Sequence, residues 1–356
     1  MAMALVGLTT TTIGVIGLLI IVFGWVVYGL FNVAAGRHEA GSEIELAANR
    51  KEYYDDETLE GPRLEKVQLW GVLLLSVIVV MVPLYWVFEP NRLAEAQDGW
   101  DNRFASWGSQ LFAPTVEGGF NCAGCHGGMG AVGGEAPFTV TDPVTDEVVA
   151  VNWKAPALNT AMYKFDENEI RFILNYGRPF SPMSPWGLVG GGPMNTQQID
   201  NLIAYIASIQ VPREGCLEGE DPLTCESGHL PADLQSDVEA AARKAVEDGE
   251  ADSYGEALFN LELGSGAYSC ARCHTLGWSY DQPGVTGQGA YGWNLTGGST
   301  NAHFGSEADM VDFIKNGSVN GKLYGLNGQG SGRMPGFGSL LTDEQIEAVV
   351  EYVRSL

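Results

Sequence analysis

Two pentapeptides carry the chemistry of this chain: Cys122-Ala-Gly-Cys125-His126 and Cys270-Ala-Arg-Cys273-His274. Cys-x-x-Cys-His is the attachment motif of haem c. Two thiols on one short turn reach both vinyl groups of a porphyrin as thioethers, and the same turn aims the adjacent imidazole at the iron. Two Cys-x-x-Cys pairs would also suit a zinc ribbon, and a single pair a redox dithiol. Against zinc, each pair is followed directly by His, and the pairs lie almost 150 residues apart in repeated surroundings. Against a dithiol oxidoreductase, no alternation of strands and helices surrounds either pair. The expectation is two covalently bound haems c, with His126 and His274 as proximal ligands.

The second axial ligand follows by comparing the copies. Between residues 98 and 212 His126 is the only histidine, which leaves Met129, Met162, Met183 and Met194. Met129 is too close to His126 to reach the opposite face of the ring. Met162 precedes an expected helix and has no counterpart in the second copy. Met194 stands two residues before Thr196, the expected N-cap of the next helix, with little chain left for a ligand loop. Met183 aligns with Met334 through a shared Met-x-x-aromatic-Gly pattern. Met183 is therefore the expected first-site ligand, with Met194 its rival, and Met334 the second-site ligand. Met310 reads as the core face of a helix and His303 as a surface residue near a helix start. His/Met ligation raises a reduction potential relative to nitrogen-only ligation.

The elements that must position these groups also occur twice. Gly108-Ser-Gln-Leu-Phe112, Cys122 to His126, Met183-Ser-Pro-Trp-Gly187 and Leu-Ile-Ala-Tyr205-Ile recur as Gly255-Glu-Ala-Leu-Phe259, Cys270 to His274, Met334-Pro-Gly-Phe-Gly338 and Ala-Val-Val-Glu-Tyr352-Val. The His-to-Met separations are 57 and 60 positions. Recurrence at this level predicts two copies of one helical domain. Gly108 and Gly255 let the first helix approach the last, against Tyr205 and Tyr352, with Phe112 and Phe259 beside the haem. Pro156 to Leu158 and Asn294-Leu295 are the expected proximal loops.

On these motifs both units resemble class I cytochrome c domains, over about Trp100 to Pro212 and Ser253 to Leu356. The first departs from the pattern in having Met-Ser-Pro where Met-Pro is usual, and in an insertion near Phe138 to Trp153 that reads as a hairpin.

Two uncharged segments, Thr11 to Phe31 and Val67 to Phe88, each reach the roughly 20 residues a membrane helix needs. Pro83 is tolerable there as a kink, and Trp70, Tyr85 and Trp86 suit an interfacial belt. Arg37 is the first basic residue, which argues against a signal peptide. Between the segments lie Arg37, Arg50, Lys51, Arg63 and Lys66, so the positive-inside rule puts that loop in the cytoplasm and everything after Phe88 outside. Haem c is attached on that outer side, so the two arguments agree. The expected localisation is a bacterial cell membrane, crossed twice, with both haem domains external.

The formal net charge of −25 excludes nucleic acid as a partner, since phosphates need cations. It suggests an acidic face that docks a basic protein. Cys216 and Cys225, close together in an acidic stretch, are an expected disulfide. Ala232 to Val246 reads as a solvated spacer helix.

The fold class is thus mainly α, with two transmembrane helices before two tandem class I cytochrome c domains. The boundaries read 1–36 for the N-terminus and first helix, 37–66 for a cytoplasmic loop, 67–90 for the second helix, 98–212 and 252–356 for the two cytochrome domains, and 213–251 for a linker. This order of parts resembles the dihaem subunit of a quinol:cytochrome c reductase or an analogous complex, and also the third subunit of cbb-type oxidases. Residues from Leu59, Leu-Glu-Gly-Pro-Arg-Leu-Glu-Lys, differ from the entrance expected of the oxidase subunit, which favours the reductase side. The implied partners are other membrane subunits of a respiratory complex and a cytochrome or oxidase as electron acceptor. A dihaem peroxidase or gas sensor would need an open iron, whereas each site here has a candidate methionine. No copper-centre cluster occurs.

Overall fold

The computed structural model describes residues 10–39, 61–141, 146–178, 181–223, 225, 227–318 and 333–356, excepting the side chains of 10–14, 35–39, 63 and 91. The chain forms two units, Met1–Gly99 and Trp100–Leu356.

In the first unit α1 is Thr10–Glu39, and α2, Pro62–Phe112, begins there and ends in the second unit. Val15–Ala34 and Leu64–Pro90 are long and apolar enough to cross a membrane. Leu19, Ile20, Phe23, Leu74 and Val82 are exposed on them, so these helices do not bury their apolar side chains in a protein core. Most of the loop expected to be cytoplasmic, with Arg50 and Lys51, lies outside the described residues.

The second unit is mainly helical. Its principal elements are α3 (Cys122–His126), strands β1 (Gly134–Thr141) and β2 (Val148–Ala155), α4 (Glu167–Tyr176), α5 (Thr196–Ser208), α6 (Ala232–Glu247), α7 (Tyr254–Phe259), α8 (Ala271–His274), α9 (Glu307–Asn316) and α10 (Asp343–Ser355). The strands form an antiparallel hairpin pairing Phe138 with Val151, within the insertion read from the sequence.

The two copies close in the same way. A Cβ on Gly108 would stand 1.9 Å from the Asn201 carbonyl oxygen, and one on Gly255 would stand 2.0 Å from that of Ala348. Only glycine lets the backbones meet there. Phe112 packs against Tyr205 with tilted rings 5.1 Å apart between centroids, and Phe259 packs edge-on against Tyr352 at 5.5 Å. Ile199, Leu202 and Ile206 on α5 and Ile346, Val349, Val350 and Val353 on α10 fill the cores at helical spacing.

Two local expectations need correcting. The cap of α5 is Asn195, which accepts from Gln198 N at 2.9 Å in a reciprocal capping box; Thr196 is the first helical residue. Helix α6 is more than a solvated spacer. Val238 and Ala242, one turn apart, are fully buried in the core that α7 and α10 also fill. Cys216 and Cys225 form a disulfide with Cα atoms 5.8 Å apart.

Candidate haem centres

Each Cys-x-x-Cys-His folds as a single helical turn, α3 or α8 with Cys270 as its N-cap. This turn puts both sulfurs of a motif on one side and the imidazole after them. Among the described residues the four motif cysteines are unpaired and partly buried. Burial pushes the Cys122 thiol up to about 11 and the Cys270 thiol up to about 12. Burial thus works against thiolate formation at both positions.

The histidines are fixed by the loops that face them. His126 Nδ1 lies 2.8 Å from the Pro156 carbonyl oxygen, and His274 Nδ1 lies 2.8 Å from that of Trp293. A carbonyl can only accept, so Nδ1 carries the proton and donates, leaving Nε2 with its lone pair as the metal-binding nitrogen. The carbonyl of His126 accepts from Gly133 N, and that of His274 from Gly289 N, both at 2.9 Å. A Cβ on Gly292 would stand 2.7 Å from His274 Cε1, so the second proximal loop needs glycine to close on the ring. Burial holds both imidazoles below their ordinary value, with the Pro156 and Trp293 carbonyls acting in the opposite sense. Neutral imidazole is the form that ligates. The proximal loops are those expected from the sequence, with the second contact made by Trp293, one residue before Asn294.

The candidate methionines stand at matching stations. Helix α4 ends at Gly177 and α9 at Gly317, with φ of 72° and 74°. The next residue in each case, Arg178 or Ser318, donates its N–H to the carbonyl of Met183 or Met334, at 2.8 and 2.9 Å. Trp186 N donates to Leu174 O and Phe337 N to Ile314 O, each at 2.9 Å. Met183 and Met334 are partly buried against their cores. Met194 instead is fully enclosed, among Ile199 and Leu202, and its N–H donates to Trp186 O at 2.8 Å. Met310 is buried as well, and His303 is exposed, at the end of a short helix, Ser299–His303, and three residues before Ser306, the N-cap of α9.

The seam between the two domains was not foreseen. Lys154 on β2, with 6 % of its side chain exposed, pairs with Glu262 and, at 2.6 Å, with Asp281, and its ammonium lies 4.9 Å from the Trp278 ring centre. Arg272, inside the second haem motif, donates from Nη1 to Lys154 O at 2.9 Å. Lys164 donates to Ala267 O. Burial, reinforced by the Arg272 charge, brings Lys164 down to about 8. Trp153 and Tyr280 pack with centroids 5.1 Å apart. A cleft of about 550 Å³ runs between the hairpin and the second motif, lined among others by Phe138, Trp153, Ser181, Arg272 and Tyr291. Arg272 also contributes to the electrostatics of His126, so the two motifs lie in one electrostatic neighbourhood.

These residues fit haem c. Each site offers two sulfurs on one turn, an imidazole with Nε2 available and a thioether sulfur on a separate loop. A helical fold with this donor set defines a c-type cytochrome domain. Residues 105–210 match the family model described as cytochrome c, and residues 255–353 match that described as cytochrome C oxidase, cbb3-type, subunit III. Comparison with curated proteins and with solved structures gives no match. The C-terminal part of the chain thus carries cytochrome c domains, after two apolar N-terminal helices, which is consistent with a membrane-anchored cytochrome c.

Proposed function

We propose that the chain is the dihaem electron-transfer subunit of a respiratory complex, passing single electrons from quinol oxidation toward a terminal oxidase. The observation that carries this is the repeated histidine geometry: in both motifs Nδ1 is tied to a loop carbonyl at 2.8 Å, and a methionine loop is fixed by the cap of the preceding helix. Bound haem supplies one-electron redox chemistry at iron.

The protein's contribution is fixed geometry. The two cysteines of each motif tether the porphyrin, and His126 and His274 present Nε2. Met183 and Met334 supply sulfur ligands, which favour the reduced state. Were His126 with Met183 and His274 with Met334 to hold the two irons, neither iron would keep a site for substrate, which suits a carrier rather than a peroxidase or gas sensor. Trp153, Trp278 and Tyr280 pack the seam between the motifs.

A second reading makes the chain the dihaem subunit of a cbb-type oxidase, and the cbb3-type description of the model matching residues 255–353 favours it. Affinity purification in mild detergent separates the two. A complex that reduces cytochrome c with quinol supports the first reading, and one that consumes oxygen with reduced cytochrome c supports the second. The proposed topology places residues 37–66 in the cytoplasm and both haem domains outside a bacterial cell membrane. Protease protection in sealed cells checks it, and an externally cleavable 37–66 loop would contradict it.

A further inference from the structure

Arg333, the residue before Met334, reaches across to the first domain. Its Nε donates to Glu169 Oε1, and its Nη2 to Glu169 Oε2 at 2.8 Å and to Lys164 O at 3.2 Å. Its Nη1 donates to Met334 O at 3.3 Å. The two side chains are only 17 % and 12 % exposed. One guanidinium therefore joins a carboxylate and a backbone carbonyl of the first domain to the methionine carbonyl of the second.

The two methionine loops differ here. Met183 is held within its own domain, by Arg178 N at its carbonyl and by Ser181 Oγ, which accepts from Met183 N at 3.2 Å. Met334 has the corresponding pair from Ser318, whose Oγ accepts from Met334 N at 3.0 Å, and the Arg333 bridge in addition.

We propose that the Arg333–Glu169 pair is a positioning device through which the first domain fixes the axial methionine of the second haem. The proposal rests on Met334 being that ligand. A forked arginine–carboxylate contact is directional and holds both partners in register. At this burial it is little screened by salt. Removing the Glu169 charge leaves a poorly solvated guanidinium tied to the first domain only through the Lys164 carbonyl, which holds the Arg333–Met334 peptide less firmly. Methionine then leaves the iron more often, and an external ligand competes more easily for the vacated position.

The test uses the full chain in detergent, with imidazole as competing ligand and the near-infrared sulfur-to-iron band as readout. Met334→Ala first measures the second haem's share of the band. Glu169→Gln follows; glutamine at this third helical position still completes the capping box with Asp166, so α4 keeps its start. Imidazole affinity of the second haem should rise about tenfold, while that of the first haem stays unchanged. Arg333→Lys, which keeps the charge and loses the fork, should fall between. Glu169→Gln combined with Arg333→Gln should cost no more than the larger single change, since both remove one interaction. Unchanged imidazole affinity in Glu169→Gln and Arg333→Lys would overturn the clamp and leave the ligand assignment standing. A band that survives intact in Met334→Ala would remove the ligand assignment, and the clamp with it.

Discussion

Met183 and Met334 occupy one structural station in two domains: the carbonyl of each accepts from the residue just past a helix-capping glycine, at 2.8 Å from Arg178 and 2.9 Å from Ser318. Met194 has no such counterpart and is sealed in the core. Met183→Ala should therefore abolish the first haem's share of the near-infrared band while the fold persists. Met194→Ala should keep the band and destabilise the domain by about 2–5 kcal/mol, the cost of a buried cavity. Denaturant titration with spectra at each step separates them; the reverse pattern would make Met194 the ligand.

Gly255 touches the last helix so closely that an added methyl has no room, its Cβ falling 2.0 Å from Ala348 O. Gly255→Ala should force α7 and α10 apart and cost about 1–3 kcal/mol, as overpacking does. Thermal melting of the purified chain measures this. An unchanged midpoint would mean that the contact is not needed for packing.

The Cys216–Cys225 disulfide ties a nine-residue separation beyond the first domain. Replacing both cysteines with serine should lower stability by about 2.5–3 kcal/mol through loop entropy and leave both haem spectra unchanged. Altered haem spectra would show that this loop supports a haem site directly.

Residues 91–356 hold 34 acidic and 14 basic side chains. Such a surface steers a basic partner over about 8 to 10 Å at physiological salt, which speeds brief encounters more than it tightens them. Stopped-flow oxidation by a basic cytochrome should slow as ionic strength rises. A rate independent of salt would leave the acidic face as a solubility feature.

Much of this fold is legible in the sequence because its landmarks repeat in order. Gly108 with Tyr205 and Gly255 with Tyr352 stand out on comparing the copies, and the two structural contacts agree. The proximal loops could be read for the same reason. Asn195 and Thr196 are both good caps for α5, and only Gln198, three residues after Asn195, separates them, which is why the sequence points one residue too late. The seam could not be read. Arg333 meets Glu169, 164 positions away, and Lys154 meets Glu262, 108 away. Neither pair recurs in the other copy or sits at a helical or strand period, so nothing local announces it. Helix α6 reads as a spacer because only Val238 and Ala242 on it are fully buried, which makes a weak apolar stripe.

On the proposed function, both Cys-x-x-Cys-His turns hold haem covalently. The most direct measurement is a pyridine haemochrome assay on the denatured, washed chain, with haem counted against protein. Two haems per chain should remain bound, and Cys125→Ser or Cys273→Ser should weaken attachment at the altered site alone. Haem that extracts freely into acid acetone, or a count of one with both motifs intact, would contradict the account.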